Sequence, residues 1–304
     1  MGTPDFAVPS LIKLTENGYK PSAVITGMDK KIGRGQKIIP TPVKIAAAKL
    51  NIPVLEPINL KDPAFRRQIE EFDTDLSCVV AFRILPQLLI DIPRLGSINL
   101  HSSLLPKYRG AAPIQRAIMA GEKETGATTF FIRRKVDTGN ILFRDKIKIG
   151  EFENFGSLHD RLAELGAELL LKTVKAVESG SQIEAVQDNS LATDAPKVNG
   201  DDLLINWNRS AIEIHNQVRA LSPKPGVKTN YGGKVLKIFS TVPAENITKE
   251  TAPGQVIEVG KDFFSVSTGD GCLKVLELQR EGKRRMNSAD FLKGTNISSE
   301  DSLA

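Results

Sequence analysis

The sequence predicts an α/β protein: a Rossmann-like, mainly parallel sheet with its first strand missing, followed by a small OB-like β-barrel. Three observations predict it. The 304 residues exceed what one hydrophobic core usually organises, so two domains are expected. Over residues 1–180 short apolar runs alternate with helix-period segments, as in strands covered by crossover helices. Over residues 204–304 short β-type runs are split by glycine pairs, as in a small barrel.

In chain order, Met1-Gly2-Thr3-Pro4-Asp5-Phe6 reads as a loop running into a helix, with proline near its first turn. A domain of this kind places an apolar strand before such a loop, so the natural chain is expected to start upstream of Met1. Strands are expected at Ala23 to Ile25, Val54-Leu55, Leu76 to Phe82, Ile98 to Leu100, Thr128 to Ile132 and Ile141 to Phe143. Helices are expected at Val43 to Leu50, Ala64 to Phe72 and Ser157 to Ser179. In the last, Leu158, Leu162, Leu165 and Leu169 recur at helical spacing, Ser157 and Asp160 are placed to cap the start, and Gly180 ends it. Residues 181–203 are polar and punctuated by glycine and proline, the composition of a linker between a domain at 1–180 and one at 204–304. Ser210-x-x-Glu213 then opens a helix as a capping box. Val235 to Phe239, Gly254 to Val259, Phe263 to Ser267 and Leu273 to Leu278 follow as barrel strands.

Composition excludes more than it selects. The longest apolar run, Cys78 to Phe82, is far below the ~20 residues of a membrane helix, so no membrane insertion is expected. Cys78 and Cys272 sit in apolar runs without a C-x-x-C or histidine neighbour, as buried free thiols of a reducing compartment do. A net charge of +5 permits an anionic partner without requiring one.

Chemistry concentrates at 96–114. A strand through Ile98 to His101 points Asn99 and His101 to one side, because side chains alternate with period two. That polar pair emerges where the strand ends and the chain breaks at Pro106 and Gly110, and pockets of open α/β sheets form at the carboxyl ends of strands. Asparagine donates a neutral hydrogen bond to a developing oxyanion, and histidine exchanges a proton near neutral pH. A second polar knot, Lys135 to Asn140 with Asp137-Thr138-Gly139 at its centre, has turn composition. Its carboxylate would orient His101 if the two loops meet, and the spacing leaves that open.

Several segments occur together in one order: Gly2-Thr-Pro-Asp-Phe6, Gly33-Arg-Gly35, Pro40-x-Pro42-Val-Lys44, Val79-Val-Ala-Phe82, Asn99-x-His101-x-Ser103-Leu-Leu-Pro106-x-x-Arg109-Gly-Ala-Ala-Pro113, and Val136-Asp-Thr-Gly139. Ile205-x-Trp207, Arg219-Ala-Leu-Ser-Pro-x-Pro225 and Thr268-Gly-Asp-Gly271 continue the series. In these the chain resembles methionyl-tRNA formyltransferases over nearly its whole length. The resemblance implies the formyltransferase fold and transfer of a formyl group from 10-formyltetrahydrofolate to the amine of methionyl initiator tRNA. It implies Asn99, His101 and Asp137 as the catalytic trio, Ser103, Leu104, Leu105 and Pro106 as the folate-binding segment, and the backbone of 81–85 as a wall for the pterin. The basic stretch Met28 to Lys37, with Arg34 and Lys37, is implied to meet the acceptor end of the tRNA, and 204–304 to be a tRNA-binding domain with Lys283-Arg284-Arg285 in its basic patch. A cytoplasmic monomer without metal is expected, and His101, His159 and His215 show no ligand spacing. His159 and His215 read as solvated or structural.

Formyltransferases acting on glycinamide ribonucleotide or a sugar-nucleotide amine share the trio; the basic loop and the basic C-terminal third favour tRNA. A dehydrogenase is disfavoured because no G-x-G-x-x-G is present. A catalytically dead RNA-binding protein is disfavoured by the intact trio. The chain departs from the resemblance at Arg133, Arg134 and Lys135, where acidic or glycine residues are commoner, and at Lys224, where an aromatic is.

Overall fold

The computed structural model describes residues 1–32, 35–244 and 251–304. Up to residue 180 the elements are α1 (Val8–Glu16), β1 (Val24–Ile25), β2 (Lys30–Ile32), β3 (Lys37–Ile39), α2 (Pro42–Lys49), β4 (Val54–Leu55), α3 (Pro63–Glu70), β5 (Ser77–Val80), α4 (Gln87–Ile90), β6 (Ser97–His101), α5 (Pro113–Met119), β7 (Glu124–Phe131), β8 (Ile141–Lys148) and α6 (Phe155–Ser179). Beyond it lie α7 (Ala211–Ala220), β9 (Val227–Tyr231), β10 (Lys234–Ala244), β11 (Val256–Val259), β12 (Phe264–Ser267), β13 (Cys272–Arg280), β14 (Met286–Asn287) and α8 (Ser288–Lys293).

These residues form two compact units, the first comprising 1–111, 124–147 and 159–195, the second 112–123, 148–158 and 196–304. The expected linker is thus divided, 181–195 lying with the first unit and 196–203 with the second. This polar, proline-punctuated stretch folds into short 3-10 turns at Asn189–Leu191 and Asp201–Leu203 and still makes contacts.

In the first unit β1 pairs β4 and β5 pairs β6 in parallel, while β7 runs antiparallel to β6, and the second sheet piece has the order β5-β6-β7-β8. Between β1 and β5, Met1 and Gly2 bridge the two pieces. Gly2 N–H donates to the Ile25 carbonyl at 3.0 Å, Val80 N–H donates to the Met1 carbonyl at 2.9 Å, and the Met1 ammonium donates to the Cys78 carbonyl at 2.6 Å. Burial depresses the pKa of that ammonium. Beneath this bridge lies a 330 Å³ cavity lined by Leu14, Val24, Ile25, Ser77, Cys78 and Val174, among others.

Sequence chemistry explains the helix starts. Thr41 accepts the Lys44 N–H and Asp62 the Ala64 N–H, each followed by proline at the first helical position. Helix α6 begins two residues before the expected Ser157, because Asn154 supplies the side-chain oxygen that accepts the Ser157 N–H at 3.1 Å. Leu158, Leu162 and Leu169 of α6 are at most 1% exposed, each contributing roughly 1.5–3 kcal/mol by burial. Gly166 lets α6 approach β6 closely, since a Cβ there would meet Leu100 Cδ2 at 2.7 Å. That contact seats the strand carrying Asn99 and His101 against the longest helix.

In the second unit the capping box Ser210/Glu213 opens α7 as the sequence predicts. The strands form an antiparallel sheet of order β11-β12-β13-β10-β9, with β14 on β13, around Trp207, Phe264 and Phe291. The ladder between the edge strands is open. Ala304 exchanges backbone hydrogen bonds with Asn230 on β9, and Val256 N–H on β11 donates to the Asp301 carbonyl, so the C-terminal segment spans the two edges. Among the described residues no helix is long and apolar enough to cross a membrane.

Candidate active site

Asn99 and His101 lie on β6 at alternate positions, opposite Phe130 and Thr128 of β7. Asn99 is partly exposed, and its carboxamide makes no hydrogen bond to another described residue, so it is available to a ligand. His101 is nearly buried. Its Nε2 lies 2.8 Å from the Tyr108 carbonyl, which can only accept, so Nε2 carries the hydrogen. Nδ1 faces Asp137 Oδ2 at 3.8 Å, with 8% and 11% of the two side chains exposed. The two loops left open by the sequence therefore meet. At 3.8 Å the pair is beyond hydrogen-bond distance, a gap that such pairs commonly close when substrate binds. The same Oδ2 accepts the Gly110 N–H at 2.9 Å, which aims the carboxylate at the imidazole.

The turn carrying Asp137 follows β7. Asp137 has φ +52°, a left-handed conformation rare outside glycine. Gly139 is required by close approach, because a Cβ there would lie 1.6 Å from the Phe131 carbonyl oxygen. Arg133, Arg134 and Lys135 are exposed, so the departures from the resemblance alter the rim and leave the carboxylate in place. Ala81 after β5 (φ +48°) and Tyr108 after β6 (φ +61°) are also left-handed. Three left-handed non-glycine residues thus sit in the loops that follow β5, β6 and β7, and such strain gathers at functional sites.

Of the segment expected to bind folate, Ser103 and Leu105 are fully buried. The Ser103 hydroxyl donates to the Lys107 carbonyl at 2.7 Å, and Leu105 packs with Phe130 and Ile141. Thr128 donates its hydroxyl to the Ser103 carbonyl and accepts the Leu105 N–H. Pro106 is also buried, which leaves Leu104 as the partly exposed side chain of the four. The backbone of 82–84 is irregular, and its N–H and C=O groups make no hydrogen bond to another described residue. Unpaired backbone groups at a strand end suit the amide edge of a pterin.

The stretch Met28 to Lys37, read as a loop, contains instead the hairpin β2–β3, with Lys30 opposite Ile39 and Ile32 opposite Lys37. Lys37 and Ile38 are exposed on it. Arg34 lies outside the described residues. The base of the hairpin is held by Lys44, whose ammonium donates to Glu56 Oε2 at 2.7 Å and Asp29 Oδ2 at 2.9 Å. Those bonds, Glu56 first, raise the Lys44 pKa. Of the basic patch, Arg285 is committed to Glu277 and to the Phe239 ring.

His159 is flanked by Asp5 and Asp160 and edges onto Phe6, and His215 bonds Thr241 in the second unit, so both are structural. Among the described residues no cluster of three or more His, Cys, Asp or Glu side chains is placed to hold a metal. Sequence reading missed Gln187, which it placed in the linker. The carboxamide of this residue donates to the Asp137 carbonyl at 3.0 Å and to the Gly139 carbonyl at 2.7 Å.

Residues 1–174 match the family described as formyl transferase, and residues 197–296 its C-terminal domain. The chain belongs to the formyl transferase family. Among its relatives, a methionyl-tRNA formyltransferase of Pelotomaculum thermopropionicum is 45% identical over 97% of this chain and 94% of its own length. One from Geobacter metallireducens is 45% identical over 98% and 95%. Among solved structures, the sugar 3N-formyl transferase WlaRD, crystallised with dTDP and 5-N-formyl-THF, superposes with TM-score 0.68 at 22% identity, covering 93% of this chain and 97% of its own. At that identity the likeness establishes the formyltransferase fold.

Proposed function

We propose that this formyl transferase moves the formyl group of 10-formyltetrahydrofolate onto the α-amine of methionyl initiator tRNA. The observation that carries the reading is the convergence of Asp137 on His101, beside the free carboxamide of Asn99, in a chain 45% identical over 97% of its length to a methionyl-tRNA formyltransferase. The amine must attack neutral. Asn99 donates its amide N–H to the oxygen that gains charge as the amine adds to the formyl carbon. His101 accepts the proton that the amine loses and returns it to the departing folate nitrogen, and Asp137 stabilises the imidazolium in between. The unpaired backbone of 82–84 and the segment Ser103 to Pro106, with Leu104 partly exposed, offer the donor its site.

The same reading gives the hairpin, with Lys37 and Arg34, to the acceptor end of the tRNA. It gives 204–304, with Lys283 and Arg284, to the phosphate backbone, where binding weakens with salt. Residues 1–180 are then the catalytic domain, in a cytoplasmic monomer. Purified chain, a labelled formyl donor and a panel of initiator tRNA, elongator tRNA, glycinamide ribonucleotide and an amino sugar nucleotide test it. Label is expected on charged initiator tRNA. Label on a small amine instead would reassign the acceptor.

A further inference from the structure

Residues 181–194 bury one side chain, and it is polar. Gln187 is 5% exposed, whereas Ile183, Val186 and Leu191 of the same segment are 82%, 83% and 60% exposed. A segment packed for stability would do the reverse. All four hydrogen-bonding capacities of the Gln187 amide are used. Nε2 donates to the carbonyls of Asp137 and Gly139, and Oε1 accepts from Arg109 Nη2 at 2.7 Å and Nε at 3.2 Å. Two carbonyls on one side and a guanidinium on the other allow one orientation of the amide.

Arg109 is itself tied to the same segment. Its guanidinium donates to Asn189 Oδ1 at 2.9 Å, its N–H to the Thr193 carbonyl at 2.8 Å, and its carbonyl accepts the Ala195 N–H at 2.6 Å. Tyr108 N–H donates to Thr193 Oγ1 at 2.9 Å, and the Tyr108 carbonyl is the group that fixes His101 Nε2. Residues 187–195 therefore strap both the turn that carries the carboxylate and the loop that sets the imidazole. A left-handed Asp137 persists only where its surroundings over-determine it, and Gln187 is the side chain that grips its carbonyl.

We propose that Gln187, held by Arg109, is a positioning residue of the formyl-transfer centre, keeping the Asp137 carboxylate aimed at His101. The proposal rests on the roles given above to Asp137 and His101. Gln187→Leu keeps the volume and removes all four hydrogen bonds. It is expected to lower kcat about 10²-fold, a loss that an ångström of misplacement can cause, with the KM for the formyl donor within about threefold. In an Asp137→Asn background the same change should cost less than about threefold, because its path runs through the carboxylate. Should Gln187→Leu fail to fold, Gln187→Glu keeps the Arg109 contact and sets acceptors against the two carbonyls, with the same expectation. Hydrogen exchange of the Gly110 amide, which donates to Asp137 Oδ2, reads the aim of the carboxylate without turnover, and faster exchange is expected in either variant. Unchanged kcat, full additivity with Asp137→Asn, or unchanged exchange would each overturn the proposal. A wild-type chain whose Gly110 amide is protected but which transfers no formyl group would overturn the reaction reading instead.

Discussion

His101 and His215 are both buried, 7% and 3% exposed, and their surroundings treat them in opposite ways. His101 has a carbonyl at hydrogen-bond distance from Nε2 and the Asp137 carboxylate 3.8 Å from Nδ1. His215 has the Thr241 hydroxyl on Nδ1 and the Arg219 guanidinium nearby. Burial first, and that guanidinium second, push its pKa down to about 4. One histidine faces a carboxylate and the other a guanidinium. Residue type is the same in both, and the neighbours decide which histidine reacts.

The sharpest way to break this contrast is His101→Ala, which should cost about 10²–10⁴-fold in turnover while barely moving the thermal midpoint. His215→Gln should leave turnover intact, and equal losses in the two variants would erase the distinction. Next comes Asp137→Asn, expected to lower turnover roughly 10²-fold by removing the acceptor for the imidazolium. Calorimetry should show formyl-donor binding nearly unchanged, and a parallel loss of binding would turn Asp137 into a folate contact.

A third effect concerns pH. The folded pKa of His215, about 4, lies below its ordinary value of 6.5. Between those values the unfolded chain binds a proton that the native chain refuses. The stability that neutral His215 contributes is therefore complete above pH 6.5 and declines as pH falls toward 4, by at most about 1.4 kcal/mol per pH unit. Urea midpoints at pH 7, 6 and 5 should show this slope in the wild type and a shallower one in His215→Gln; identical slopes would mean that other groups carry it. The smallest effect is expected at the exposed hairpin. Lys37→Ala should raise the KM for tRNA a few-fold and reduce the salt dependence of binding by about one phosphate contact. An unchanged salt dependence would place Lys37 outside the interface.

Legibility followed the range of the interactions. Asn99 and His101 were visible as a pair because a strand's period of two puts them on one side whatever the strand packs against. The capping box at Ser210 and Glu213, and the leucine spacing of α6, were visible for the same local reason. The stretch Met28 to Lys37 reads as a loop because glycine and lysine hide the short strands of the hairpin. The sequence sets the start of α6 two residues late because Asn154 competes with Ser157 as a cap.

By itself the sequence determined the order of strands and helices, the polar pair on β6 and, through its motifs, the family. These depend on near neighbours or on residue identity alone. Only the tertiary structure decided that the Asp137 turn reaches His101, that Ser103 and Leu105 face inward, and that Gln187 in an apparent linker grips the Asp137 turn. Each of those is a contact across tens of residues, set by how the chain closes its backbone hydrogen bonds, and no periodicity along the chain records it.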